Sequence, residues 1–165
     1  VVVPRLYLNG ASTNPWNPVR GPKDKQEAFT KAACYTYGYN HPLVVHRVHD
    51  VMNVAAMLKG AQSASGALIL VSADKQTAPV GCVAGAMMEG FFDGAVIDTC
   101  GFRFASVRDQ QDKDFVPGAV KYGDVPGLLN LCNPKKTRVF GEDSSKHGEE
   151  AIPAAVMELS VRQNR

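Results

Sequence analysis

Ala67-Leu68-Ile69-Leu70-Val71 is an unbroken apolar run between two polar stretches, and it constrains the fold more than any other segment. It is too short for a helix in this setting and has no polar side to turn toward water. A strand covered on both faces fits it, which is the situation of a central strand in a parallel sheet. Ser72 to Thr77 follows as a turn. Pro79 to Met88 then concentrates Gly81, Cys82, Ala84, Gly85 and Ala86. Small side chains let a helix lie close against a sheet, which offsets the poor helix propensity of glycine.

The alternation of strand and helix extends in both directions. Val44, Val48, Val51, Ala55 and Leu58 form one apolar stripe, on a helix that starts after Pro42 and stops at Gly60. Arg47, Asp50 and Asn53 fall off that stripe. Ala95-Val96-Ile97-Asp98 predicts a strand and Val125 to Leu131 a short helix. Thr137-Arg138-Val139-Phe140 predicts a strand ending at Gly141, and Glu149 to Val161 a closing helix. At the other end, Arg5-Leu6-Tyr7-Leu8 alternates polar and apolar residues and predicts a strand stopped by Asn9-Gly10. The pattern is that of the α/β class, a mostly parallel sheet with flanking helices.

One domain accounts for residues 1–165, long enough to hide roughly 70% of the unfolded surface. Within it, residues 10–42 read as a long loop rich in Asn, Pro, Gly, Ser and Thr. Loops of that length are often functional. Its aromatics Trp16, Tyr35, Tyr37 and Tyr39 offer a surface for a carbohydrate or a partner, or else belong against a missing half of the fold.

Lys and Arg number 18 against 16 Asp and Glu, for a net charge of +2. That balance gives no reason to expect nucleic acid, which needs a concentrated basic face. No apolar run approaches the roughly 20 residues of a membrane helix. No basic segment leads into an apolar stretch with a cleavage site, so localisation is not legible. Cys34, Cys82, Cys100 and Cys132 lie far apart without a CxxC pair, which argues against a zinc knuckle or a redox dithiol. Each sits among small or apolar neighbours, as a buried thiol does. His46, His49 and Asp50 share a helix face, but no further ligand falls at i+4 or i+7 and HExxH is missing. Nothing in the chain calls for a metal or a cofactor.

In open parallel sheets, ligands collect beyond the carboxyl ends of the strands. Three stretches lie there: Ser72 to Gln76, Asp98 to Gly101, and Gly141 to Asp143. The first has the setting of a nucleophile elbow, a buried strand, an abrupt turn and a close-packed helix. G-x-S-x-G itself is absent, and Asp74 stands at the nucleophile position with Ser72 two residues earlier. The competing reading has Ser72 and Asp74 capping the free N–H groups of the helix. His147 is the one histidine placed to act as a base near that edge, or it is an ordinary loop histidine.

Tyr37-Gly38-Tyr39-Asn40-His41-Pro42-Leu43, followed by Arg47-Val48-His49-Asp50, resembles a segment of α/β-hydrolases of the acetyl xylan esterase and dienelactone hydrolase sort. Two later runs resemble the same family in the same order: Ala95 to Phe104 and Phe115 to Leu129. The likeness covers roughly residues 37–143, with the core best matched over 43–143. It implies a partial, truncated α/β-hydrolase fold whose elbow is degenerate. It also implies Glu142 and Asp143 at the position of the catalytic acid, with His147 following sooner than the family's histidine does. Ser72, Asp74, Asp143 and His147 are then the catalytic candidates. The expected ligand is a small ester or an acetylated carbohydrate. Two functions follow: a carboxylic ester hydrolase with little or no turnover, or a binding module that kept the scaffold and lost the chemistry. A strand missing from the sheet would leave an open edge, with self-association as the consequence.

Overall fold

A computed structural model of the chain describes residues 1–7, 37, 38, 40–61, 66–87, 89–110, 112–142 and 151–163. Helix α1 spans Leu43–Gly60 and begins directly after Pro42. Strand β1 is Ile69–Ser72, helix α2 is Ala78–Ala86 and strand β2 is Gly94–Asp98. Two single 3-10 turns, Phe104–Ser106 and Val120–Tyr122, lead to the short helix α3, Asp124–Leu129. Strand β3 is Thr137–Phe140 and helix α4 is Ile152–Gln163. The three strands form an all-parallel sheet in the order β1-β2-β3. The protein is thus a small α/β domain with helices flanking a three-stranded parallel sheet.

The alternation of side chains along β2 divides the core. Ala95 and Ile97 enter the larger cluster, with Val44, Val48 and Met52 of α1, Val80, Cys82 and Ala84 of α2, and Val125 of α3. Val96 points the other way, into a smaller cluster with Ile152, Ala155 and Leu159 of α4. All five residues of β2 are buried. Full burial of a Val or Ile side chain contributes about 1.5–3 kcal/mol relative to exposure, so β2 anchors both layers.

Glycines set the spacing of α2 over the sheet, as the sequence predicts. A Cβ on Gly81 would fall 2.5 Å from Ser72 Oγ, and one on Gly85 would fall 2.5 Å from Ile97 Cδ1. One helical turn separates the two positions, so any larger residue at either would push the helix off the strands.

Two expectations need correction. The apolar run at 67–71 forms an edge of the sheet among the described residues, and β2 takes the central place. Val71 is 45% exposed, so β1 is not covered on both faces. Residues 1–7 also form no strand. The Tyr7 amide donates to Asp50 Oδ2 at 2.7 Å, and Arg47 Nε donates to the Tyr7 carbonyl at 3.1 Å. Polar groups of α1 thus hold the backbone of Tyr7 on the helix. The remainder of the expected strand, at Leu8, lies outside the described residues. So does most of the 10–42 loop, including Trp16, Cys34, Tyr35 and Tyr39. Among the described residues, no helix is long and apolar enough to cross a membrane.

Candidate functional site

Parallel strands end on one edge, where Asp98 at the end of β2 is joined by Asp74 from the turn after β1 and Glu142 just past β3. At the end of β1, Ser72 is 3% exposed and its hydroxyl lies 3.1 Å from Thr77 Oγ1. Asp74 stands two residues on, in the exposed turn. Its Oδ1 accepts the amides of Gln76 and Thr77 at 2.7 and 2.8 Å, and its carbonyl accepts the amide of Ala78 at 2.9 Å. The carboxylate therefore satisfies N–H groups just ahead of α2 that no helical carbonyl can reach. Ser72 and Asp74 are brought together through Thr77, as parts of one turn.

Beyond β2 and β3 the backbone pairing runs past the strands. Thr99 N donates to the Phe140 carbonyl and Gly101 N to the Gly141 carbonyl, both at 3.0 Å. Asp98 is buried, and its Oδ1 accepts Cys100 N at 2.8 Å. Gly141 has φ +76°, and a Cβ there would strike Asp98 Oδ1 and lie 2.6 Å from Cys100 N. Only glycine fits at that crossing. Cys100 has a positive φ of 46° and carries a half-buried thiol.

Glu142, placed by resemblance at the acid position, closes this end of the sheet. Arg103 holds it as a fork, Nη1 to Oε1 at 3.1 Å and Nη2 to Oε2 at 2.7 Å. The Thr99 hydroxyl donates to Oε1 at 2.7 Å. A two-point guanidinium–carboxylate pair fixes orientation as well as charge. Asp143 and His147 lie outside the described residues.

His46 and His49 lie on one side of α1 and both face His41, with ring centroids 6.1 and 6.0 Å from it. Tyr7 packs on His46 at 5.7 Å. Among the described residues, no group of three or more His, Cys, Asp or Glu side chains is arranged to hold a metal ion. Tyr37 is half-buried, with its ring 5.2 Å from that of Phe115 and its hydroxyl donating to the Gln110 carbonyl at 2.6 Å. Burial raises its pKa above the ordinary tyrosine value, and Asp109 and Asp112 add to the effect.

A groove of about 380 Å³ between the loops that follow β1 and β2 has no local signature in the sequence. Lys75 and Gln76 line it from the first loop, and Phe102, Ser106 and Val107 from the second. Asp112, Lys113 and Asp114 complete the wall. Asp114 is buried; its Oδ2 is ion-paired with Lys113. Its Oδ1 is closed off from solvent and has no hydrogen-bond partner among the described residues. Arg47 is likewise buried, and desolvation lowers the pKa of its guanidinium while the charge of Asp114 opposes that shift. Arg108 to Asp114 is a polar connection in the sequence, and its residue types do not mark Asp114 as buried.

Comparison with protein-family models, curated proteins and solved structures finds no match to this chain.

Proposed function

We propose that the protein is a binding module on an α/β-hydrolase-like scaffold, taking a small polar ligand at the carboxyl edge of its sheet without turning it over. One observation carries this reading: the groups at the elbow position are committed to structure. The Ser72 hydroxyl is buried against Thr77, and the Asp74 carboxylate is occupied by two backbone amides. A nucleophile must instead stand within reach of both substrate and base. Glu142, at the acid position, is held by Arg103 and Thr99. Descent from ester hydrolases rests on the order of resembling segments from residue 37 onward.

Hydrolysis of p-nitrophenyl acetate by the pure protein tests this reading. The expected rate is that of buffer, unchanged in Ser72→Ala and Asp74→Ala. Turnover abolished by either substitution would establish the esterase in its place. Self-association through β1 belongs to the same proposal, since Val71 is exposed on that strand. Sedimentation velocity of the wild type against Val71→Lys tests it: a dimer lost in the variant supports it, and a monomer in both removes it.

A further inference from the structure

The groove at the carboxyl edge has one buried group whose bonding is incomplete. Asp114 lines it with Oδ1 unpartnered among the described residues, while Oδ2 is bridged by Lys113. A buried carboxylate oxygen without a donor is rare in folded proteins and points to a missing partner. The ion pair is lopsided: the Lys113 side chain is 43% exposed and that of Asp114 is 12% exposed. Lys113 is therefore the movable member, a cation laid across the carboxylate from the solvent side. With Lys113 swung aside to uncover the carboxylate, another cation with two or more N–H donors can take its place and serve both oxygens. Lys75, also on the groove, has no ion pair among the described residues, and it supplies a positive charge from the opposite loop. Gln76 and Ser106 add uncharged polar groups, and Phe102 an apolar patch.

We infer that this groove binds a small zwitterion, with its ammonium group on Asp114 and its carboxylate on Lys75. The inference rests on the binding reading above and names the ligand class. The wall offers charges of both signs, so a molecule with a single charge leaves one of the two groups unsatisfied. An open groove of about 380 Å³ has the volume of small-molecule sites. The ligand ammonium displaces Lys113, which swings into water where its charge is hydrated, so one cation is exchanged for another.

Calorimetric titration of the full chain tests this with β-alanine, γ-aminobutyrate and ε-aminocaproate, against butylamine and butyrate as singly charged controls. At least one zwitterion is expected to bind saturably and more tightly than both controls. Asp114→Asn should weaken it about tenfold or more, the scale of a lost charge-assisted contact. Lys75→Ala, in an exposed turn where folding is not at risk, should remove the preference for zwitterion over amine. Lys113→Ala should tighten binding, because the competing cation is gone. Absence of saturable binding, or zwitterion binding that Lys75→Ala and Asp114→Asn leave unchanged, would overturn the inference. Zwitterion binding with esterase turnover would refute only the claim of no turnover. No zwitterion binding and no turnover would refute only the ligand class.

Discussion

Ser72 and Gly81 touch across the junction of β1 and α2, so closely that no side-chain atom fits on Gly81: a Cβ would stand 2.5 Å from Ser72 Oγ. That contact turns a strand end into a packed floor. It also explains why the Ser72 hydroxyl lies under the helix and is not offered to a ligand.

Gly81→Ala should therefore destabilise the fold. Overpacking costs about 1–3 kcal/mol, which outweighs the ~1 kcal/mol that Ala gains over Gly within a helix. For a chain of this size each kcal/mol lowers the melting temperature by roughly 2–4 °C. Thermal unfolding checks the shift, and Ser72→Gly in the same chain should lessen the penalty by removing the colliding side chain. A stabilised Gly81→Ala protein would show that α2 sits farther from β1.

Asp124 joins two parts of the loop region by accepting three amides. Its Oδ1 takes Phe104 N and Val125 N, both at 2.7 Å, and its Oδ2 takes Ala105 N at 2.9 Å. It does so with φ +55°, a region that Asp tolerates better than most residues. Asp124→Ala should cost about 2–3 kcal/mol in urea denaturation, as expected for loss of bonds to a charged acceptor. Asp124→Asn keeps one acceptor oxygen and the backbone tolerance, so it should cost less. Equal losses in the two variants would rule out the carboxylate as the cause.

Burial pushes the Cys82 thiol from its ordinary 9.0 up to about 12; Cys132, Glu142 and Asp124 add to the shift, and Arg103 opposes it. Below pH 9 the thiol is protonated in both folded and unfolded chains and contributes no slope. Between pH 9 and 12 the unfolded chain releases this proton while the folded chain keeps it, so stability falls as pH rises. The slope for one group is roughly 1 kcal/mol per pH unit. Cys82→Ala should show a shallower decline than the wild type over that window, measured by urea denaturation at each pH. Superimposable curves would exclude a protonated, buried Cys82.

The elements that local pattern controls were legible in the sequence. The stripe from Val44 to Leu58 gave α1, and Thr137 to Phe140 matched β3 residue for residue. What escaped depends on distant partners. Hydropathy alone cannot distinguish an edge strand from a central one, so the run at 67–71 read as central although Val71 meets solvent. Arg47 read as polar and off the stripe, yet it is buried, with Tyr7 and Asp114 near it from far along the chain. The Arg103–Glu142 fork spans 39 residues and has no local signature. At the β1 edge, Ser and Asp are residues of nucleophiles and of caps alike. The capping reading of Asp74 is the one its bonds to the Gln76 and Thr77 amides match, but residue types alone leave both readings open.

The claim on which the account turns is that Ser72 is structural. Treatment of the folded protein with a fluorophosphonate, read by intact mass and peptide mapping, tests it most directly. Such reagents form a stable bond only with an activated, accessible serine hydroxyl. The expected result is an unmodified mass, with Ser72 recovered in its native peptide. A stoichiometric adduct on Ser72 would contradict the account.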